Sequence, residues 1–238
     1  MRLKSLLLLI NSLLFGFTVF AQTDPFNTTL NYGTVVDFEG NTYKTTRIGS
    51  QTWMAENLRS TKYRNGTSIS YIKDARQWGT NTTGAWCYYN NDPSLNLPYG
   101  KLYNWFAVEN ANNVCPTGWH VPADTEWNTL IGFLDNAYSP HATENQSGIA
   151  GEMLKTAGTA YWKYWNEATN SSGFSALPGA YRTSDGGFTV FDKEGYWWSS
   201  TPTYTDFAWY RSMLNNHSGV YRNYLNKTVG FSIRCVKD

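Results

Sequence analysis

Three histidines, three cysteines and eighteen aspartates and glutamates are the groups in this sequence that could do chemistry. A zinc site or a nucleophilic triad needs its parts brought together in space. His120, His141 and His217 show no i, i+4 spacing, so every partner would have to converge from a distance. His120 sits in a proline turn and reads as structural, whereas His141 and His217 lie in polar loops and read as solvated. Sugar hydrolysis needs two carboxyl groups flanking one bond. Glu152, Glu167, Asp185, Asp192, Glu194 and Asp206 are scattered through loops, and no spacing pairs them. The odd cysteine count allows one bridge and one leftover thiol, or no bridge at all. Spacing alone does not choose the pair among Cys87, Cys115 and Cys235. We expect no catalysis.

Rings are the other resource. Aromatic residues make up 17% of the chain, against 16% charged residues, and 11 are tryptophan. A chain this rich in rings and poor in charge folds. Flat exposed rings stack on the faces of sugars, and Asn, Asp and Arg bond sugar hydroxyls. The net charge is +1, from 19 basic and 18 acidic residues. No basic excess draws nucleic acid phosphates, and no polybasic run addresses an anionic membrane. Heptads are absent, which excludes a coiled coil.

Residues 1–21 read as a secretory signal peptide. Arg2 and Lys4 precede an apolar stretch from Leu6 to Phe20, and small residues Val19 and Ala21 mark a cut before Gln22. The stretch is shorter than the ~20 apolar residues of a spanning helix. Residues 22–33 form a polar leader, and 34–238 one domain. Within that domain, TVVDF and TYKTTRIG around Glu39-Gly40-Asn41 predict a hairpin, and QTWMAENL a further strand. Residues 62–97 are irregular, with a short helix near Asp74 to Trp78. Apolar spacing predicts helices over Gly100–Glu109 and Asp124–Leu134, the second capped by Asp124. A helical turn is expected at Gly151–Thr156. GFSALPGAYR, YWWSST, FAWYRSML and GFSIRCV read as strands, and Asp185-Gly186-Gly187 as a turn.

The strings GNTYKTTRIGSQTWMAENL, YGKLYNWFAV, CPTGWHVPADTEWNTL, NSSGFSALPGAYR, YWWSST and GFSIRCVKD, in that order, resemble the Fibrobacter succinogenes major paralogous domain family. The resemblance covers roughly residues 34–237. It implies an α+β, C-type lectin-like fold with two main helices, short antiparallel strands and long irregular loops. It also implies a likeness to the formylglycine-generating enzymes. HVPADTEW, residues 120–127, corresponds to their helix-opening string, with Ala123 where that pattern prefers threonine. Glu126 would then close a capping box. The fold implies a Cys115–Cys235 bridge, with Cys87 left as a thiol buried against Trp86; Cys87–Cys115 is the rival pairing. The enzyme likeness would need Cys87 exposed and paired with a second thiol on copper, and a buried thiol is the ordinary case.

The fold also raises calcium, although the sugar-binding lectin strings are missing. Asn166, Glu167 and Asn170 in WNEATN offer oxygens to a hard cation, with Glu167 as the expected metal ligand; Asp37, Glu39 and Asn41 offer a weaker set. Such residues more often shape turns. Trp53, Trp105, Trp119, Trp127, Trp197 and Trp198 fall inside the family strings and read as core. Trp162, Tyr164, Trp165, Tyr204 and Trp209 fall between them. YWKYWNE is therefore the expected ligand surface, made of Trp162, Tyr164, Trp165, Asn166 and Asn170, unless these rings pack the loops. The expected role is a secreted, non-catalytic binding domain of a bacterium, extracellular or periplasmic, whose partner is a glycan or polysaccharide. The alternative is a structural or protein-interaction module of the cell envelope, partnered by another envelope protein.

Overall fold

The chain is described by a computed structural model covering residues 24–164 and 166–238. The expected signal peptide lies outside these residues. The first half holds β1 (Gly33–Val36), β2 (Thr42–Ile48), β3 (Gln51–Met54), β4 (Ser70–Tyr71), α1 (Ala75–Thr80), β5 (Ala85–Cys87), α2 (Asn96–Tyr99), β6 (Leu102–Tyr103) and α3 (Trp105–Val108). The second half holds β7 (Trp119–His120), α4 (Asp124–Leu134), β8 (Glu144–Ser147), α5 (Ala150–Leu154), β9 (Glu194–Tyr204), β10 (Phe207–Leu214), β11 (Val220–Asn226) and β12 (Val236–Lys237).

The hairpin forms as its turn signal directs. Gly40 takes a positive φ of 84°. Asp37 Oδ1 accepts the backbone N–H groups of Glu39 and Asn41, both at 2.9 Å. Its Oδ2 accepts the Tyr43 hydroxyl at 2.7 Å. Asp74 caps α1 by accepting the Gln77 N–H at 2.8 Å.

Strands pair into a five-stranded sheet ordered β1-β2-β3-β12-β7, a four-stranded sheet ordered β8-β11-β10-β9, and a three-stranded sheet ordered β4-β5-β6. Neighbouring residues of one strand face opposite sides, so Trp197 and Trp198 of β9 enter two different core clusters. Helix α4 turns Trp127, Leu130 and Ile131 into the cluster of Trp53, Phe174 and Trp197. Irregular loops are held partly by buried guanidinium groups, which satisfy carbonyls that no ladder reaches. Arg182 donates to Gly186 O, Ile72 O and Lys73 O while lying over Trp78.

Four expectations about the scaffold are corrected: the fold class, one helix, one strand and one helix cap. The fold is not an α+β, C-type lectin-like arrangement with two main helices. It is mostly β, 31% strand and 17% helix, with sheets that include a curled half-barrel. The expected helix over Gly100–Glu109 is the reason in part. Gly100 has φ +78°, Leu102 and Tyr103 pair with β5 as β6, and Asn104 then caps the short α3 by accepting the Ala107 N–H. GFSALPGAYR is likewise no strand; it makes only isolated bridges, such as Ala180 to Gly195.

The second helix keeps its expected bounds but not its expected cap. Ala123 stands at the cap and Asp124 is the first helical residue. Glu126 Oε2 accepts the Ala123 N–H at 2.8 Å, which is the Glu half of a capping box. Asp124 is engaged elsewhere, as described below.

Cys115 and Cys235 form a disulfide across 120 positions and tie the segment before β7 to that before β12. Cys87 is free and buried. Among the described residues no helix is long and apolar enough to cross a membrane. Segment 24–32 lies against the domain: Asn27 Nδ2 donates to Asn170 O, and the Phe26 and Tyr32 rings meet at 5.4 Å.

Candidate functional site

In β10 and β11, Trp209 faces Tyr224, Arg211 faces Arg222 and Phe207 faces Asn226. Directly opposed residues share a face, so one side of this pair carries Phe207, Trp209 and Tyr224 in a row. Tyr204, opposite Phe207 on β9, extends the row. Tyr224 is its hub, with ring centroids at 5.3 Å from Trp209, 5.6 Å from Tyr204 and 6.0 Å from Phe207, all nearly edge to face. Tyr204 is 63% exposed, and the other three rings are half-buried. Among the described residues the Tyr204 and Tyr224 hydroxyls and Trp209 Nε1 make no hydrogen bond within the chain. The π-faces carry partial negative charge that attracts C–H edges, and the unengaged polar tips can bond hydroxyls.

One end of the row meets α4. The Arg222 guanidinium lies on the Trp209 ring, its carbon 3.4 Å from the centroid. Arg222 Nε and Nη2 donate to the Asp124 carboxylate, and Arg211 Nη1 donates to its Oδ1 at 2.8 Å. Burial alone would push the Asp124 carboxyl up, but the bonds and charges of Arg222 and Arg211 outweigh it and hold it low. Arg211 is fully buried, and burial brings it down to about 10 against the opposing pull of Asp124.

Within the expected YWKYWNE surface, Trp162 is not an open ring. Trp162 is fully buried, its Nε1 donating to Ala176 O at 2.9 Å and its ring over Lys155 Nζ. No sugar can stack on it. Trp165 lies outside the described residues, and Tyr164 is 65% exposed. Asn170 is buried and holds a turn, accepting the Ser175 N–H and donating to Ser175 Oγ and Pro25 O. Asn166 Nδ2 donates to Thr156 O and Gly158 O.

Glu167 is exposed at the mouth of a polar cavity of about 250 Å³ that also meets Glu152, Lys155 and His217. Lys155 Nζ donates to Leu214 O and His217 O, and burial brings the amine down to about 8. Among the described residues no group of three or more His, Cys, Asp or Glu is placed to hold a metal ion. In the weaker cation set, Asp37 and Asn41 are engaged with each other in the hairpin turn, and Glu39 accepts from the Thr61 N–H and hydroxyl. Burial pushes the Cys87 thiol up to about 12, with Arg182 pulling the other way, so it is protonated and shielded.

A second cavity, of about 370 Å³, lies beside Phe26, Leu97 and Tyr161 over Asn57 and Arg234. Its polar floor is already engaged. Asn57 Oδ1 accepts from Arg234 and Trp197, its amide donates to Tyr99 O, and Arg234 Nη1 also donates to Met54 O. Burial lowers Arg234 to about 9, with Glu56 opposing. The ring row is the better candidate because its polar groups are not used internally.

Sequence reasoning singled out Tyr204 and Trp209 but missed Phe207, Arg222 and Tyr224. The signal was present as alternation: Phe207, Trp209 and Arg211 in one strand, Arg222 and Tyr224 in the next.

A family model described as Fibrobacter succinogenes major domain matches residues 46–237. No curated protein and no solved structure matches the chain.

Proposed function

This chain belongs to the Fibrobacter succinogenes major domain family, and from that premise we propose that it is a secreted, non-catalytic domain that binds carbohydrate. One observation carries the reading: Tyr204, Phe207, Trp209 and Tyr224 form a continuous ring surface with unengaged polar tips. A pyranose ring offers C–H groups to such faces and hydroxyls to such tips. Secretion is supported by the signal-like segment 1–21 and by the disulfide, which belongs to an oxidising compartment. The ligand surface moves from YWKYWNE to the β10–β11 face, because Trp162 is core. The calcium ligand Glu167 is not carried forward.

The test is a polysaccharide binding screen on the purified protein and on Trp209→Ala and Tyr204→Ala. Binding that either variant weakens at least about tenfold, about 1.4 kcal/mol, supports the reading. Binding to no glycan sinks it. That outcome moves the envelope interaction module to first place, a reading favoured by edge strand β1 with Val36, and Phe38 just beyond it, exposed.

A further inference from the structure

Donors outnumber acceptors where the ring row meets α4. Arg211 and Arg222 bring two guanidinium groups, each a fork of N–H donors with no acceptor. Among the described residues Asp124 is the only carboxylate that bonds them. Asn128 Oδ1 takes one Arg211 Nη2 bond at 2.9 Å, and the Tyr210 and Asp124 carbonyls accept at 3.4 Å. Arg211 Nε is buried with no partner among the described residues. Arg222 Nη1 has no acceptor among them either, and it belongs to the guanidinium whose carbon lies 3.4 Å from the Trp209 ring centroid. The unengaged donors beside the rings thus include Arg222 Nη1 and the Trp209 indole N–H. Glu144 stands opposite Arg222 on β8. It is exposed, and the pair is not an ion pair among the described residues.

We propose that the glycan bound on this face is acidic: a uronate-bearing polysaccharide whose sugar ring stacks on the rings while its carboxylate meets Arg222 Nη1. Guanidinium matches a carboxylate in plane and charge, and a ligand carboxylate would balance the second arginine that Asp124 leaves uncompensated. The proposal rests on the carbohydrate reading above and narrows it to a ligand class. Glu144 opposes such a ligand, but as an exposed charge in water it does so weakly.

The experiment compares polygalacturonate with its methyl-esterified form, by calorimetry on the full protein, beside neutral xylan, mannan and laminarin. Esterification keeps the sugar backbone and removes the charge. We expect the acid to bind at least tenfold more tightly than the ester and the neutral polymers. The affinity should fall as sodium chloride rises from low to high concentration, and rise in Glu144→Gln. Trp209→Ala should abolish binding. Arg222→Lys keeps the charge but loses the planar fork, and should weaken binding to the acid alone; circular dichroism of each variant confirms that it is folded. Equal binding of acid and ester, or a neutral polymer bound while the acid is not, overturns the acidic ligand and leaves the carbohydrate reading standing. Acid binding unchanged in folded Trp209→Ala overturns the placement on this face. Binding to none of the polymers overturns both.

Discussion

Arg211 and Arg222 stand directly opposite each other across β10 and β11, and the carboxylate of Asp124 bonds both. Two like charges in that position repel. Asp124 comes from the first turn of α4, so this one side chain fastens the helix to the sheet and offsets one of the two positive charges.

Asp124→Asn should therefore cost far more than a surface ion pair. It leaves two desolvated guanidinium groups facing each other, and removing one partner of a buried pair costs about 3–5 kcal/mol. Urea unfolding measures this. A loss under about 1 kcal/mol would place the cluster in the class of exposed pairs. The held-down Asp124 carboxyl also gives a sign: its contribution is present above its ordinary value of 3.8 and fades as pH falls through the lower folded value.

Trp162 and Trp209 should part company. Trp162 is fully buried, so Trp162→Ala should destabilise the protein by about 3–5 kcal/mol. Trp209→Ala should lose much less stability and nearly all glycan binding. Thermal melts beside binding isotherms separate the two; the reverse pattern would return the ligand surface to the YWKYWNE loop.

His120 makes a pH-dependent tie between β7 and the last residue. Its Nδ1 meets Asp238 Oδ1 at 2.6 Å and its Nε2 meets Glu126 Oε1 at 2.8 Å. Burial alone would lower the imidazole, but the bonds and charges of Asp238 and Glu126 raise it above 6.5. A raised folded value means that the stabilisation is complete below pH 6.5 and is lost as pH rises through the folded value. The melting temperature of His120→Gln, relative to wild type, should be depressed at acidic pH and converge as pH rises. A gap that widens with pH would contradict this.

The cysteines should react unequally. Opening the Cys115–Cys235 bridge frees a loop of 120 positions, which the chain-entropy model values at about 4–5 kcal/mol. Cys235→Ser should show a loss of that order in chemical unfolding. Cys87 should resist alkylation by iodoacetamide in the native protein and react once the chain is denatured. Rapid native labelling would make Cys87 an accessible thiol and reopen the likeness to the formylglycine-generating enzymes.

Local signals were legible wherever a few neighbouring residues decide the outcome. Glu39-Gly40-Asn41 turns the hairpin, Asp74 caps α1, and the spacing of Trp127, Leu130 and Ile131 sets α4 with its observed bounds. The family strings carried the family, which stands, and the Cys115–Cys235 bridge stands too, although the lectin-like fold that implied it does not. Fold class failed because the helical spacing over Gly100–Glu109 yields to contacts made elsewhere: Leu102 and Tyr103 pair with β5. The candidate site was half legible, since ring-rich segments can be seen in a sequence but their burial cannot. Trp162 and Trp209 both sit in polar, aromatic stretches. One bonds Ala176 O inside the core, and the other lies under Arg222, whose counter-charge Asp124 is 98 positions away. Capping, turn chemistry and periodicity act over a few residues, so the sequence by itself determined the β1–β2 hairpin, α1 and the bounds of α4. Which rings are buried and which arginines lack a partner depend on segments brought together from far along the chain, and only the tertiary structure decided them.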